Sequence, residues 1–475
     1  MNGPFIIALD QGTTNCRAFA VDQTGVVRAQ HVKPLPPRRA GNTSEYTAED
    51  LWAAQWEVLS GLLDEIGPEQ AAALAVCSQR STVVLWDKST GKSVAPVLTW
   101  EDGRAQQETD RAPIDQQTVH ARTGLFKTPY FSAPKIAWCL AHCPPAREAA
   151  AQGNLCAAPV ASYFIWKLTQ GNVFATDPAL AQRTLLWDMH TRAWSEELCR
   201  VFGVPMACLP IVQPTAADYG TLIYKGRKIP LVVCAADQQA ALAYHGLSAG
   251  ETHINYGTGA FVLHHTGTQD VVLPGMLSSV TGEGHLLLEG PVFAAGSVLQ
   301  WLQVQGLFPA AASVDEVCAA SQHPVSFLPA FGGLGAPYWD YRVSPVIEGL
   351  SPHTCAADFV AGAVRGVAHL VADIADYLRQ HGQPARRIYV SGGMARSEYL
   401  LQFQADLLQC PLSVYPETES TVLGTAGLAA NYIGWDTQRW VPACWFISPR
   451  RSKQEIQILR AGWQQRMARV RQQSV

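Results

Sequence analysis

An α/β protein of two domains is what the sequence predicts, on three observations. The first is length: 475 residues, 48% of them hydrophobic and 16% charged, exceed one ordinary domain and can bury two sizeable cores. The second is FIIALDQGTTNCRAFAVDQTGVV, residues 5–27, where an apolar run, a bend at Gly12 and a second apolar run read as strand, turn and strand. The third is ETHINYGTGAFVLHHTG, residues 251–267, which repeats the plan with Gly257, Thr258 and Gly259 in the bend and a returning strand over residues 260–264. One such hairpin in each half predicts a duplicated architecture with a cleft between the halves.

The first bend also carries chemistry. Asp10 stands at a strand end and is followed at once by backbone amides and the hydroxyls of Thr13 and Thr14. Such donors can hold phosphate oxygens, while the carboxylate can hold a magnesium ion through water. For D-x-G-T alone an ordinary turn is the better reading, and the second hairpin shifts the balance.

Composition narrows the partners. A formal net charge of −4 and a pI of about 6.4 give no electrostatic case for nucleic acid or an anionic membrane, so a small molecule is expected. The start MNGPFIIALD reads as a core strand and not as a leader, and no apolar run is long enough to span a bilayer. The 12 cysteines are scattered without zinc or thioredoxin spacing. Reduced thiols in a cytoplasm are expected, with Cys16 in the first hairpin the one to watch for oxidation.

Taken in order, residues 28–43 read as a loop with Pro and Arg, residues 48–66 as a helix through Leu51, Trp52, Trp56, Leu59 and Leu63, and residues 71–77 as a strand. The stretch SQRSTVVLWDKSTGKSVAPVLTWEDGRA puts Arg80 just past that strand and Trp100 and Asp102 past a later one, at ends where open α/β sheets collect ligands. A helix begins at Lys135, which makes Trp138 a core residue; Asp177 reads as a helix cap, His190 as ordinary structure, and residues 219–230 as a short connection. In LVVCAADQQAALAYHGL, residues 231–247, Asp237 ends a buried strand ahead of a helix. A carboxylate there can take the proton of a substrate hydroxyl and aim the oxygen at a transferring phosphoryl group, or it can cap the helix. Residues 356–379 are the clearest helix. A strand over 387–390 leads into SGGMARSEYL, whose glycines admit a nucleotide close to the backbone, and residues 454–470 form a helix that docks onto the second domain.

The paired hairpins, TGLFKTPYFSAPKIAWCLAH at 123–142 with Tyr130, Ser132, Lys135 and Trp138 in register, the Asp237 junction, AAGSVLQWL at 294–302 and FLPAFGGLGAPYWD at 327–340 stand in one order. Together they resemble the FGGY carbohydrate kinases of the actin/hexokinase-like superfamily, most closely the glycerol kinase branch, over nearly the whole chain. The resemblance implies two RNase H-like domains, 1–236 and 237–475, flanking a nucleotide and substrate cleft. It implies a phosphotransferase with an alcohol acceptor that uses ATP and Mg2+ on a primary hydroxyl of a small polyol or sugar. Glycerol comes first; a tetritol or pentulose, or a non-catalytic actin-like nucleotide binder, are the alternatives.

The resemblance also assigns residues: Asp237 as general base, Asp10 at the metal, and Arg80, Ser81, Trp100, Tyr130, Gln238 and Phe261 with Asp237 in the acceptor pocket. Thr13, Thr14, Arg17, Thr258, Gly296, Gln300, Gly393 and Ser397 would contact the nucleotide. The chain departs from that pattern at Ser81, where glycerol kinases carry Glu, at Arg365 in place of Glu, at Ser397 in place of a common Asn, and at Cys139 in place of an aliphatic. Residues 219–230 are shorter than the Gly-rich basic loop of members regulated by fructose 1,6-bisphosphate. Oligomeric state stays open, a homo-oligomer included.

Overall fold

A computed structural model of the chain describes residues 3–267, 271–282, 284–308, 313–415, 419–440 and 443–473. The chain packs as two compact units, one of Met1–Gly246, Ser279–His285 and Glu419–Val441, the other of Leu247–Ser278, Leu286–Thr418 and Pro442–Val475.

In the first unit the apolar run becomes the strand Phe5–Gln11, buried along its whole length. It lies inside a six-stranded sheet ordered Thr221–Tyr224, Arg227–Ala236, Ala71–Ser78, Phe5–Gln11, Asn15–Val21 and Val27–Pro34. Phe5–Gln11 pairs antiparallel with Asn15–Val21 and parallel with Ala71–Ser78, which in turn runs parallel to Arg227–Ala236. Gln11 and Ala236 both register with Ser78, so three parallel strands stop along one edge, neighbours about 4.8 Å apart. The helix Ala48–Ile66 is capped by Thr47, buries Leu51, Leu59, Leu62 and Leu63, and stops at Gly67 with φ 86°.

Two expectations change here. Residues 28–43 are not a loop: Val27–Pro34 is the outer strand of this sheet, and Arg38–Ala40 and Thr43–Tyr46 are strands of a second one. Only Ala29 of Val27–Pro34 is buried, so this strand is held by backbone pairing and keeps a polar sequence that hides it. Residues 219–230 are a hairpin, Thr221–Tyr224 turning back at Lys225 (φ 46°) and Gly226 (φ 81°), both in the left-handed region that two-residue hairpin turns use.

The first unit continues past residue 236. The helix Asp237–His245 packs on the helix Ser420–Tyr432 so closely that a Cβ on Gly424 would lie 1.7 Å from the Ala240 carbonyl oxygen. Ser420–Tyr432 therefore completes this unit from near the other end of the chain.

The second unit repeats the plan. Its sheet includes, in order, Leu286–Val292, Ala260–Gly267, Glu251–Tyr256, Arg387–Ser391, Leu412–Val414 and Trp445–Ile447. Glu251–Tyr256 pairs antiparallel with Ala260–Gly267 and parallel with Arg387–Ser391, as Phe5–Gln11 does with its two neighbours. The helix Ala356–Gln380 buries Val360, Val364, Val367, Val371, Ile374 and Leu378 at helical spacing. The last helix, Lys453–Gln473, docks on it as expected: Trp463 stacks on His369 at 4.7 Å, and the buried Arg460 donates to Asp376 at 2.8 Å. No helix among the described residues is long and apolar enough to cross a membrane.

Candidate active site

The three strand ends of the first unit each deliver one functional group. Asp10, 2% exposed, comes from the first. Its Oδ2 accepts from Arg17 Nε at 2.9 Å and from a second guanidinium nitrogen, and the Cys77 thiol donates to Oδ1 at 3.4 Å. Arg17 also donates from Nη1 to Glu419 Oε2 at 2.7 Å, so two carboxylates hold the guanidinium. In the turn that follows, Thr13 is half-buried, accepts from Trp100 Nε1 at 3.0 Å and takes the Tyr46 hydroxyl on its carbonyl; Thr14 is exposed. Cys16 is fully buried, and burial pushes its thiol up to about 12, which removes the oxidation sensitivity expected of it.

The second strand end leads into Arg80 and Ser81, both buried. Arg80 Nε lies 3.9 Å from Asp237 Oδ1. Ser81 has a left-handed backbone, φ 65°, and its buried hydroxyl has no hydrogen-bond partner among the described residues. Trp100 donates its amide to Thr82 at 3.1 Å, and its ring stands 5.6 Å from that of Tyr130.

Asp237 follows the third strand end. Ala236 is the N-cap and Asp237 the first helical residue, so the carboxylate is not the cap; Oδ1 accepts its neighbour's amide, Gln238 N, at 2.7 Å. The side chain keeps 32% of its exposure. Loss of hydration pushes its carboxyl up to about 6; Arg80 pulls it down, and the Asp10 charge adds to the rise. Gln238 is half-buried, with its Oε1 unpartnered among the described residues.

Three side chains fall outside this group. Asp177 caps the helix Pro178–Gln182 through Leu180 N at 2.8 Å, as expected. His190 is an exposed residue bonded to the Ala121 carbonyl at 2.8 Å. Trp138 is only half-buried, because it stacks on His142 at 4.6 Å with Arg104 over its ring at 5.0 Å instead of entering the core.

In the second unit the turn at residues 257–259 is fitted to other backbone. Ala295 N and Ser297 N donate to the Thr258 carbonyl at 2.9 and 3.0 Å, and Gly296 N to the Gly257 carbonyl at 3.0 Å. A Cβ on Gly296 would meet the Gly257 oxygen at 2.7 Å, and one on Gly259 the Val292 oxygen at 2.7 Å. The Thr258 side chain and Gln300, on the helix Gly296–Val304, are exposed, and Phe261, half-buried, faces Asn255 across the hairpin. A Cβ on Gly393 would meet nothing within 4 Å; its neighbour Gly392 has to be glycine, with φ 99° and the Tyr256 oxygen 2.4 Å from where a Cβ would stand. Ser397 caps the helix Glu398–Leu408 and donates to Asp315 at 2.5 Å. Arg365 donates to the Tyr399 hydroxyl at 2.7 Å and lies 5.2 Å from the Phe403 ring centre, aromatic contacts in place of those of a carboxylate.

With the geometry in place, comparison with known proteins decides the family. Residues 5–243 match the N-terminal domain of the FGGY family of carbohydrate kinases and residues 252–432 its C-terminal domain. The chain belongs to the FGGY carbohydrate kinases. The glycerol kinase of Thermus brockianus is 36% identical, with 98% of each chain covered, and that of Enterococcus casseliflavus 32% identical over 98% of this chain and 96% of its own. Among solved structures, the Plasmodium falciparum glycerol kinase with ADP superposes at a TM-score of 0.92 with 23% identity and 99% of each chain covered. The gluconate kinase of Lactobacillus acidophilus superposes at 0.86 with 20% identity, covering 98% of this chain and 99% of its own; at these identities both show the fold alone. The fold is the actin/hexokinase-like fold of FGGY kinases.

This FGGY kinase is a phosphotransferase with an alcohol acceptor, and ATP is the substrate the family implies. The first unit groups Asp10, Thr13, Arg17, Arg80, Ser81, Trp100, Tyr130, Asp237 and Gln238 through the contacts above. Sequence reasoning missed Cys77, Glu419 and Asp315. Cys77 was readable, since it registers with Asp10 on the parallel strand; Glu419 lies 402 residues from its Arg17 partner and left no local signal.

Proposed function

We propose that this kinase transfers the γ-phosphoryl group of ATP to a primary hydroxyl of glycerol, giving glycerol 3-phosphate. The observation that carries the reading is the Asp237 carboxylate: partly exposed, pushed up to about 6, and steered by Arg80 at 3.9 Å. A carboxylate so tuned is ionised near neutral pH and basic enough to take a hydroxyl proton as the oxygen attacks phosphorus. Arg80, Ser81, Trp100, Tyr130, Gln238 and Phe261 form the acceptor pocket in this reading, with Arg80 donating to hydroxyl oxygens and the Trp100 and Tyr130 rings covering the carbon chain. The full-length glycerol kinase relatives support the choice of glycerol over longer acceptors.

Thr13, Thr14, Arg17, Thr258, Gly296, Gln300, Gly393 and Ser397 are the proposed nucleotide contacts. Ser397 would act through its backbone, since its hydroxyl caps a helix. No group of three or more His, Cys, Asp or Glu among the described residues could cage a metal. Magnesium bound to ATP needs no cage, only a carboxylate within reach of its waters; Asp10, buried and bonded to Arg17 and Cys77, would serve through the lone pairs those bonds leave. Magnesium would neutralise charge on the transferring phosphoryl group; Arg17, fixed by Asp10 and Glu419, presents a cation at the same strand end. The cytoplasm, where ATP is available to such kinases, is the proposed compartment.

Coupled ADP release with magnesium-ATP against glycerol, erythritol, threitol, ribulose and xylulose tests the reading, with Asp237→Asn as control. Glycerol is expected to give the highest kcat/KM. A longer acceptor winning would move specificity to Ser81, and no release above the control would end the reading.

A further inference from the structure

Lys135 has no part in the reaction described above, yet it is fully buried, and its amine is spent on the backbone of two acceptor-pocket residues. Nζ donates to the Tyr130 carbonyl and, at 3.5 Å, to the Ser81 carbonyl. Ser132, on the same helix, donates its hydroxyl to that Ser81 carbonyl at 3.4 Å. Resting on the acceptor-pocket reading, we propose that Lys135 is a positioning residue that ties the Arg80–Ser81 loop to the Tyr130–Trp100 wall and so sets the width of the acceptor pocket.

Three features give the tie its purpose. Ser81 holds φ 65°, a conformation a serine keeps only when its surroundings impose it. The Ser81 side chain has no partner among the described residues to impose it, which leaves the carbonyl as the handle. A buried ammonium usually sits against a carboxylate. Here the carboxylate acting on it is Asp102, itself bonded by Ser44 N at 2.6 Å and Arg104 Nε at 2.9 Å, so the lysine's directed bonds go to carbonyls. Burial lowers the Lys135 amine to about 7, and either protonation state keeps N–H donors for both carbonyls. On the far side, the Tyr130 ring centre lies 5.9 Å from Nζ and 5.6 Å from the Trp100 ring, so a shift of the Tyr130 backbone moves the aromatic wall with it.

The test compares Lys135→Met, Lys135→Arg and Ser132→Ala with the wild type, reading KM for glycerol, KM for ATP and kcat, together with hydrogen exchange of residues 78–86 and 126–134. For Lys135→Met the acceptor KM should rise about tenfold or more, with kcat and the KM for ATP within about threefold of wild type. Lys135→Arg should recover part of the loss, Ser132→Ala should raise the acceptor KM by about twofold to fivefold, and exchange should speed up in both segments of Lys135→Met. An unchanged acceptor KM in folded Lys135→Met, or equal losses in all three constants, overturns the proposal. Should Lys135→Met not fold, unchanged acceptor KM in both other variants overturns it. A wild type inactive on glycerol defeats the functional reading alone, and exchange then decides: both segments loosened in Lys135→Arg and Ser132→Ala supports the tie, neither loosened refutes it.

Discussion

At one topological position the first unit places Asp10, facing Arg17 across the hairpin and Cys77 on the parallel strand; at the matching position the second unit places Asn255, facing Phe261 and Ser391. The hairpins also differ in fit. A Cβ on Gly12 would meet the Asn15 oxygen at 3.7 Å, whereas Gly259, Gly296 and Gly392 each have a carbonyl oxygen 2.4 to 2.7 Å from theirs. One copy of the plan keeps an acid and an arginine at a roomy turn, and the other keeps an amide and backbone in tight register. Charge handling and shape fitting are thus divided between two versions of one hairpin.

The division can be broken from its charged side. Asp237→Asn should lower kcat about 10²- to 10⁴-fold in coupled ADP release, the range a general base contributes. The same variant tests the cost of the charge. A carboxyl held at about 6 is protonated in the folded state at pH values where the unfolded chain has already ionised, so its contribution to stability declines as pH rises from the ordinary carboxylate range through 6. Asp237→Asn should therefore melt higher than wild type at pH 8 and close to it at pH 4. Asp10→Asn, which gives the first hairpin the amide of the second, should cost kcat about 10²-fold, and an unchanged kcat would show that the charge difference is incidental. In the wild type, kcat/KM should fall about tenfold per pH unit below 6 and level off above it, because the base form is lost as pH drops through its raised pKa.

Smaller effects test the tight side. Gly259→Ala and Gly296→Ala each drive a methyl against backbone and should destabilise the protein by about 1–3 kcal/mol in chemical unfolding. Gly12→Ala, whose methyl would make only ordinary van der Waals contact with the Asn15 oxygen, should cost under about 1 kcal/mol. Equal costs at the three sites would erase the contrast.

The legible parts of the chain were those with a local pattern. The strand Phe5–Gln11 and the helix Ala356–Gln380 announce themselves by apolar runs and 3.6-residue spacing, and Asp237 by its place where a strand becomes a helix. Val27–Pro34 did not, because an edge strand with one buried residue needs no apolar alternation. The hold of Glu419 on Arg17 and the burial of Lys135 were hidden for another reason: each depends on groups brought together by the fold, and an acid or a lysine in a string looks the same whether exposed or spent on a partner. Asp10, Arg80 and Asp237 could be read as strand-end residues, but the effect of the first two on the protonation of Asp237 could not.

The helix Ser420–Tyr432 has a consequence for how the protein is made. It lies against Asp237–His245 with backbone touching backbone at Gly424, and Glu419 just ahead of it holds Arg17. Ribosomes release a chain from its first residue, and domains generally fold as they emerge. This unit cannot do so: the helix that seals it follows its first hairpin by some distance, Glu419 lying 402 residues after Arg17, with most of the second unit in between. A nascent chain halted before residue 419 would carry the proposed base on a helix with one flank bare, so the kinase gains a competent first unit only after most of the second unit has been made.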